Sequence, residues 1–211
     1  MEKEYEMPAG AGESEFTDRK SVFLGHVMPV KSEEEALEFV KQMKKKYGDA
    51  RHNVWAFALH NGAMRSSDDG EPQGTGGAPV LDAILKKGLT DAVVVVTRYF
   101  GGILLGTGGL VHAYSNAAVS ALDAAGRVRA VPHTLCALTC DYAQYGMVCR
   151  LCEKYGALEL SAEYTDRVGV SFLLPPGGFE PYGKDLREQS AGSLTLENKG
   201  EKVLALSVKN R

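Results

Sequence analysis

Residues 66–79 read S-S-D-D-G-E-P-Q-G-T-G-G-A-P, and residues 93–114 read V-V-V-V-T-R-Y-F-G-G-I-L-L-G-T-G-G-L-V-H-A-Y. The tetrapeptide Gly-Thr-Gly-Gly occurs in both stretches, and each copy directly precedes a segment with helical periodicity. A glycine-rich loop that leads into a helix presents unpaired backbone N–H groups at the positive end of the helix dipole. We name residues 66–77 the first glycine loop and residues 98–109 the second, and we expect both to hold phosphate groups.

The candidate anion-binding residues follow from these two loops. Hydroxyl groups, a guanidinium and two aromatic rings lie among the glycines, and a histidine follows on the next helix. The set is Gly74, Thr75, Gly76, Gly77, Arg98, Tyr99, Phe100, Gly101, Gly102, Gly106, Thr107, Gly108, Gly109 and His112. The alternative interpretation is that the glycines only permit tight turns and close packing of helices against strands.

Arg98-Tyr99-Phe100 leaves a buried strand and enters the second glycine loop. A guanidinium beside aromatic rings can pair with a phosphate while a ring stacks on a base. Alternatively, Arg98 forms a salt bridge with an acidic residue of the first glycine loop and ties the two loops together. From the sequence, both interpretations stay open.

The acidic residues of the first glycine loop are Asp68, Asp69 and Glu71. Their carboxylates could bind a hard cation such as magnesium, or they could cap the turns that follow. The chain contains neither G-x-S-x-G nor H-E-x-x-H, the motifs of common hydrolases. We therefore assign no catalytic residue and no metal site.

Known nucleotide-binding motifs do not fit the glycine loops. The second loop resembles the start of a P-loop, but Thr107 stands where the phosphate-binding lysine should be. Neither loop fits G-x-G-x-x-G, because Pro79 and Val111 occupy the position of the third glycine. We expect no nucleotide cofactor and no other cofactor.

Composition limits the class of protein. The chain has 211 residues, of which 44% are hydrophobic and 24% are charged, and these values suit one large or two small globular domains. Val93–Val96 lies between Asp91 and Arg98, so the apolar run is too short to span a bilayer. The start, M-E-K-E-Y-E, lacks the apolar core of a signal peptide, which predicts a cytoplasmic protein without membrane partners. The net charge of −3 excludes unselective binding of duplex nucleic acid.

The first domain is predicted to span residues 16–129. Residues 1–15 are weakly periodic, so the extreme end is expected to be loose, and residues 16–30 are expected to form one strand. Ser32 and Glu35 form a capping box before a helix that Gly48 closes. A strand at residues 54–60, a short helix after the first glycine loop, a buried strand at residues 92–97 and an alanine-rich helix complete the domain.

The second domain is predicted to span residues 131–209. After Pro132 the pattern reads strand, helix, strand, turn, strand, helix, followed by strands near residues 193–196 and 203–208. This βαββαβ order is typical of a ferredoxin-like domain, and the whole chain is assigned to the two-domain α+β class.

The four cysteines fall in this second domain, at positions 136, 140, 149 and 152. Their clustering raises the hypothesis of a zinc site. The alternation of the pattern places the first two on one face of a strand and the other two on the apolar face of the next helix. We therefore interpret them as small buried residues.

The glycine loops and their flanks resemble the signature of the IMPACT family, and His52-Asn53 before a strand resembles it too. The resemblance covers about residues 16–126, and the rest resembles the small C-terminal domain of bacterial members. One departure is His112, where many relatives have arginine. The matching residues are Ser67, Asp68, Asp69, Gly70, Glu71, Pro72, Gly74, Gly77, Pro79, Thr97, Arg98, Tyr99, Phe100, Gly101, Gly102, Gly106, Gly108 and Gly109.

The resemblance implies a two-layer α/β first domain similar to domain IV of elongation factor G, and a second domain similar to its domain V. It also implies a role in translation, since eukaryotic members regulate translation during amino-acid starvation by competing for a protein partner of a stress kinase. RNA or ribosome binding is the usual inference for bacterial members.

Three hypotheses about function follow. The leading one is a non-enzymatic RNA- or ribosome-binding regulator of translation, in which the glycine loops hold the backbone and Tyr99 or Phe100 stacks on a base. The second is a protein-interaction regulator in which the same loops grip a protein partner. The third is a metal-dependent hydrolase or phosphotransferase that uses Asp68, Asp69 and Glu71.

Overall fold

The computed structural model describes residues 4–207 and divides the chain into two compact units, Tyr5–Arg129 and Ala130–Leu206. Both units combine helices with sheets, so the predicted two-domain α+β class is confirmed. The predicted bounds of 16–129 and 131–209 stay predictions, and the last residues of the second range lie outside the described residues. No helix within residues 4–207 is long and apolar enough to cross a membrane.

The elements of the first unit alternate strands with three helices. In chain order they are β1 (Tyr5–Pro8), β2 (Gly12–Asp18), β3 (Ser21–Pro29), α1 (Glu33–Lys46), β4 (His52–Ala58), β5 (Met64–Ser67), α2 (Gly77–Lys86), β6 (Ala92–Tyr99) and α3 (Gly106–Ala125).

One expectation about the start of the chain was wrong, because the single strand expected at residues 16–30 is a β2–β3 hairpin. Residues 5–8 also form a strand, and residues 1–3 of the end that was expected to be loose lie outside the described residues. Arg19 and Lys20 form the hairpin turn with φ angles of 43° and 65°. A two-residue turn of this kind usually contains glycine or asparagine, so the sequence offered no turn signal.

The sheet of the first unit has the order β2-β3-β6-β4-β5, and its neighbouring strands pair antiparallel. Strand β6 lies at its centre and is buried on both faces, as the continuous apolar run predicted. Val94 and Val96 point to one face, and Val93 and Val95 point to the other. Arg98 lies near the C-terminal end of β6. Because β6 is the central strand, this position is in the middle of one end of the sheet.

Helices α2 and α3 cover one face of this sheet. The alanine-rich side of α3 packs against β2 and β3, as its composition predicted. Close approach is possible because Gly12 and Gly25 face it: a Cβ at Gly12 would lie 2.3 Å from the carbonyl oxygen of Ala121. The Ser14 hydroxyl donates to the Ala117 carbonyl at 2.7 Å and fixes the contact.

Helix α1 covers the opposite face, where Phe39 and Val40 contact Trp55 and Phe57. The Ser32 hydroxyl accepts the backbone N–H of Glu35, as the predicted cap requires. The first domain therefore has helices on both faces of its sheet, and α1 adds a third layer to the two that the resemblance implied.

The second unit has the predicted βαββαβ order. Its elements are β7 (Arg127–Cys140), α4 (Tyr142–Lys154), β8 (Leu158–Tyr164), β9 (Val168–Leu174), α5 (Phe179–Gln189) and β10 (Glu197–Ser207), with β10 and β9 pairing with β7 and β8 pairing with β9. The strand order β10-β7-β9-β8 is that of a ferredoxin-like sheet. Residues 193–196 are not a strand, because the chain runs through Leu194 in the core before β10 begins at Glu197.

Three of the four cysteines belong to the core of this second unit. Cys136, Cys140 and Cys152 are buried, whereas Cys149 is only half-buried on α4. Burial raises the pKa of the Cys136 thiol to about 11, so the thiol stays protonated. These three side chains pack as small apolar groups, in agreement with their interpretation as core residues.

Candidate functional site

A pocket of about 460 Å³ opens in the first unit, where the ends of β4 and β6 meet both glycine loops. Its wall combines basic, acidic and apolar side chains. The lining residues are Arg51, His52, Gly70, Glu71, Pro72, Arg98, Phe100, Leu104, Leu105, Gly106, Thr107 and Leu110.

Arg98 is only 6% exposed and forms an ion pair inside the protein. Its Nη1 donates to Oε1 of Glu71 at 2.7 Å, and both side chains are buried. Of the two interpretations of Arg98, the salt bridge that ties the glycine loops together is the one that the structure contains. The guanidinium also lies 5.5 Å from the ring centres of Phe23 and Phe100.

Glu71 receives a second hydrogen bond from the Tyr114 hydroxyl, at 2.8 Å. Burial, reinforced by the Glu71 charge, raises the pKa of Tyr114 far above its ordinary value, so the phenol stays protonated and acts as the donor. A buried carboxylate is stable only when donors satisfy its oxygens, and Arg98 and Tyr114 supply two such donors to Glu71.

His52 stands beside this ion pair, with Nε2 at 4.0 Å from Oε1 of Glu71. Its Nδ1 lies 2.9 Å from the carbonyl oxygen of Asp69, which can only accept. Nδ1 therefore carries a proton, and in the neutral ring Nε2 is left with its lone pair.

The position of His52 depends on the pairing of β4 with β6, in which His52 lies opposite Arg98. Sequence reasoning did not place His52 or Tyr114 in the site. The two residues are far from the acidic loop in sequence, and only strand register and the packing of α3 bring them to Glu71. For His52, the one signal in the sequence was the His52-Asn53 pair, which resembles the family signature.

The first glycine loop already holds an anion, the carboxylate of Asp68. The backbone N–H groups of Gly74, Gly76 and Gly77 donate to it at 2.8, 3.0 and 2.8 Å. Burial opposes ionisation of Asp68, but these N–H groups together outweigh it and lower the pKa of the carboxyl. The expected external phosphate is therefore replaced at Gly74, Gly76 and Gly77 by an internal group.

Thr75 is also bonded within the first glycine loop, because its hydroxyl donates to the carbonyl of Pro72 at 2.7 Å and the residue is buried. This hydroxyl stabilises the turn and does not face the pocket. The first glycine loop thus closes on itself, which contradicts the prediction that this loop holds an external phosphate. Phosphate binding by the second loop stays a prediction.

The acidic residues point to three different sets of partners. Asp69 accepts the backbone N–H of Asn53 at 2.7 Å and pairs with Lys44, while Asp68 caps the glycines and Glu71 pairs with Arg98. Within residues 4–207, no three histidine, cysteine, aspartate or glutamate side chains are placed to share a metal ion. The carboxylates act as caps and ion-pair partners, the alternative that the sequence had left open.

The second glycine loop is held against the β2–β3 hairpin. The N–H of Gly101 donates to the Ser21 hydroxyl at 3.1 Å, and a Cβ at Gly101 would lie 2.0 Å from the carbonyl carbon of Lys20. The Arg19 side chain approaches the carbonyl of Leu104 at 3.4 Å. This contact places Arg19 and Lys20 beside the second glycine loop. The sequence did not indicate that these two residues lie next to it.

Helix α3 begins at the mouth of the pocket. Leu105 is its N-cap residue and makes no side-chain capping bond, and Gly106, Thr107 and Gly108 are exposed. The first turn of a helix leaves backbone N–H groups without partners inside the helix. Anion binding at these N–H groups, at the positive end of a 20-residue helix, stays a prediction.

The two aromatic residues of the second loop separate to opposite sides of the sheet. Phe100 lines the pocket and is 46% exposed. Tyr99 points away from the pocket, because it follows Arg98 in β6 and neighbouring residues in a strand face opposite ways, and its hydroxyl donates to Asp49 at 2.9 Å. His112 also lies outside the pocket wall, where it contacts Asn116 and the Phe16 ring.

Comparison with known proteins gives a consistent result. Residues 19–122 match the family described as the Impact N-terminal domain, and residues 138–193 match a domain of unknown function, DUF1949. An IMPACT family member of Haemophilus influenzae is 36% identical, covering 92% of this chain and 96% of the relative. The Escherichia coli IMPACT family member YigZ is 34% identical, covering 84% and 89%.

Two further relatives extend the comparison. The rat Protein IMPACT, from Rattus norvegicus, is 32% identical over 51% of this chain and 35% of its own length. A solved structure described as the crystal structure of an hypothetical protein superposes with a TM-score of 0.66 at 30% identity and covers all of both chains.

Proposed function

This chain belongs to the IMPACT family, and from that premise we propose that it is a non-enzymatic RNA- or ribosome-binding regulator of translation that contacts RNA through the second glycine loop. The observation that carries the proposal is the coincidence, at one loop, of the exposed Phe100 ring and the uncapped start of α3. An aromatic ring can stack on a base, and backbone N–H groups at the start of a helix can bind a phosphate.

Local positive charge supports the same contact. Arg51 lines the pocket, and Arg19 and Lys20 stand on the adjoining hairpin. In the described part of the chain, no carboxylate forms a salt bridge with any of these three side chains. Because the whole chain carries a net charge of −3, the contact is limited to this patch and to few phosphates.

The test is co-sedimentation of the purified protein with ribosomes over a series of salt concentrations. We expect salt-sensitive binding, and Arg51→Ala should lower the slope of log K against log salt by about 0.7–0.9 for one lost phosphate contact. Phe100→Ala should weaken binding by about 1–3 kcal/mol without changing that slope, since stacking releases no counterions.

Lys41→Ala is the matched control, because Lys41 is an exposed cation on α1, on the other face of the sheet. Arg98→Ala is unsuitable, since it would leave the buried Glu71 carboxylate without its main partner. Absence of binding at low salt, or equal binding of Arg51→Ala and Lys41→Ala, would contradict the proposal.

A protein partner is the second candidate, and one observation favours it. Leu104 is 80% exposed at the tip of the second glycine loop, next to the exposed Ile103 and Phe100. Adjoining exposed apolar side chains are a feature of protein interaction sites. Pull-down with and without nuclease separates the candidates: a partner that survives nuclease and is lost in Leu104→Ser supports this second function.

A further inference from the structure

We propose that the turn of the β2–β3 hairpin binds the backbone of single-stranded RNA, with Arg19 and Lys20 each holding a phosphate while Phe100 stacks on a base. The proposal rests on the proposed function, and it names the form of RNA and the charged contacts that this function requires. Three observations carry it: the backbone conformation of the turn, its exposed cations, and its position against the second glycine loop.

Arg19 and Lys20 have a backbone conformation that suits neither residue. The pairing of Asp18 with Ser21 leaves these two residues to form the whole turn, and their φ angles are 43° and 65°. A two-residue turn with both φ angles positive favours asparagine followed by glycine, because a larger side chain is strained in the left-handed region. In the described part of the chain, Arg19 and Lys20 are the only adjacent non-glycine residues with positive φ.

Another hairpin of the same unit shows the ordinary solution. Strands β4 and β5 are joined through Asn61 and Gly62, and Gly62 takes a positive φ of 90°. The β2–β3 turn thus keeps two cations where this chain elsewhere uses a glycine. Strained backbone conformations cluster at binding and active sites, where the strained residue serves a function other than folding.

The two cationic side chains contribute little to the fold. Both residues are exposed, and no carboxylate in the described part of the chain forms a salt bridge with either of them. Arg19 makes one contact, in which its Nη1 lies 3.4 Å from the carbonyl oxygen of Leu104, and this distance is longer than that of an ordinary N–H···O bond. Both positive charges are therefore accessible to a ligand.

The turn lies one strand away from the exposed ring of Phe100. Strands β3 and β6 pair antiparallel with Val22 opposite Tyr99. The contact between Gly101 and the backbone of Lys20 continues this pairing past the ends of the strands, because a Cβ at Gly101 would lie 2.0 Å from the carbonyl carbon of Lys20. Paired strands are about 4.8 Å apart, so the turn and the residue before Gly101, Phe100, belong to one surface.

The combination of two cations and an exposed ring matches a single strand. Phosphates pair with arginine and lysine, and an unpaired base stacks on an aromatic ring. A double helix keeps its bases stacked inside, so it offers no base to Phe100, which is 46% exposed. Two phosphate contacts also agree with a net charge of −3, which limits binding of nucleic acid to a local patch.

The test gives the turn the sequence that its backbone favours. Arg19→Asn combined with Lys20→Gly removes both charges and relieves the left-handed strain, so the melting temperature should rise by about 2–8 °C. Binding to a fluorescein-labelled oligouridine of about 12 nucleotides, measured by fluorescence anisotropy over a salt series, should weaken. The slope of log K against log salt should fall by about 1.4 for two lost phosphate contacts. Weaker binding by a more stable variant excludes misfolding as the cause.

Two further variants separate the charge from the strain. Arg19→Gln combined with Lys20→Gln removes the charges but keeps both side chains in the left-handed conformation. It should show the same loss of binding and slope without the rise in melting temperature. Lys41→Gln combined with Lys86→Gln is the control for charge, because it removes two exposed cations from α1 and from the end of α2 and should leave binding unchanged.

An unchanged RNA affinity or salt slope in the Arg19→Asn, Lys20→Gly variant would overturn the inference. A fall in its melting temperature would also overturn it, because the two side chains would then be needed for the fold. If Phe100→Ala or Arg51→Ala still weakens binding in either case, the proposed function stands without the turn.

Comparison of the oligouridine with an RNA duplex tests the form of the nucleic acid. Tighter binding of the single strand supports the inference, and equal or tighter binding of the duplex contradicts it. Absence of RNA binding by the unchanged chain, together with a nuclease-resistant protein partner that is lost in the Arg19→Gln, Lys20→Gln variant, would overturn both this inference and the proposed function.

Discussion

Glu71 joins four parts of the first unit through one side chain. Its carboxylate accepts hydrogen bonds from Arg98 at the end of β6 and from Tyr114 on α3, and it faces His52 at the start of β4. A buried ion pair of this kind adds little net stability compared with an apolar pair of the same shape. Loss of one partner is costly, however, because the other charge remains buried without compensation.

Glu71→Gln is therefore expected to destabilise the first unit by about 3–5 kcal/mol, because the Arg98 guanidinium loses its only carboxylate partner in the described residues. Urea unfolding followed by circular dichroism measures the change. Glu38→Gln serves as the control on the exposed surface of α1. A loss below about 1 kcal/mol would mean that water reaches Arg98 and replaces the carboxylate.

At the scale of elements, each glycine loop is defined by the neighbour it packs against. The first loop wraps the Asp68 carboxylate in three N–H groups. The second loop lies on the β2–β3 hairpin, where the absence of a side chain at Gly101 allows backbone-to-backbone contact with Lys20. Identical tetrapeptides thus have different roles, since one is closed by its own chain and the other remains open.

Asp68→Asn is expected to reduce stability at neutral pH by roughly 1–3 kcal/mol, because a neutral amide is a weaker acceptor for these N–H groups. The folded-state pKa of Asp68 lies below its ordinary value of 3.8. Its contribution is therefore complete above that value and is lost as the pH falls through the lower folded-state pKa. The unchanged chain and the variant should become more alike in stability at more acid pH.

Unfolding measured from neutral pH to below pH 3 checks this convergence. Asp82→Asn, which alters an exposed carboxylate on α2, is the control and should change stability little at any pH. A difference between the unchanged chain and Asp68→Asn that stays constant with pH would show that the charge of Asp68 is not what stabilises the loop.

At the scale of the whole molecule, each unit has a hydrophobic core of its own. The core of the first unit lies on both faces of its sheet, and the core of the second lies between one face of its sheet and the helices α4 and α5. The two matched families, at residues 19–122 and 138–193, fall in separate units. Separate cores allow the units to lose stability separately.

Leu186→Ala should destabilise the second unit by about 2–5 kcal/mol, because Leu186 is fully buried in its core. Hydrogen exchange should then accelerate in β7, β9 and α5, while β6 and α3 keep their protection. Leu122→Ala in the core of the first unit should produce the reverse pattern. Equal loss of protection in both units, from either variant, would show that they unfold as one.

Much of this fold follows from local patterns in the sequence. The apolar run at residues 92–97, the cap at Ser32 and the βαββαβ order after Pro132 were sufficient to predict β6, α1 and the second domain. The β2–β3 hairpin was missed because its turn has no glycine or asparagine. The position of α1 on the second face of the sheet was missed because periodicity shows that a helix has an apolar face, but not which sheet face it covers.

The sequence by itself determined that two glycine loops precede two helices, and that Arg98 enters one of them. Only the tertiary structure decided that Asp68 fills the first loop, that Arg98 pairs with Glu71, and that the start of α3 stays open. The physical reason is that local propensity acts within a few residues, whereas the partner of a buried charge is set by strand register and helix packing. Those long-range contacts are what leave the second glycine loop open at the pocket.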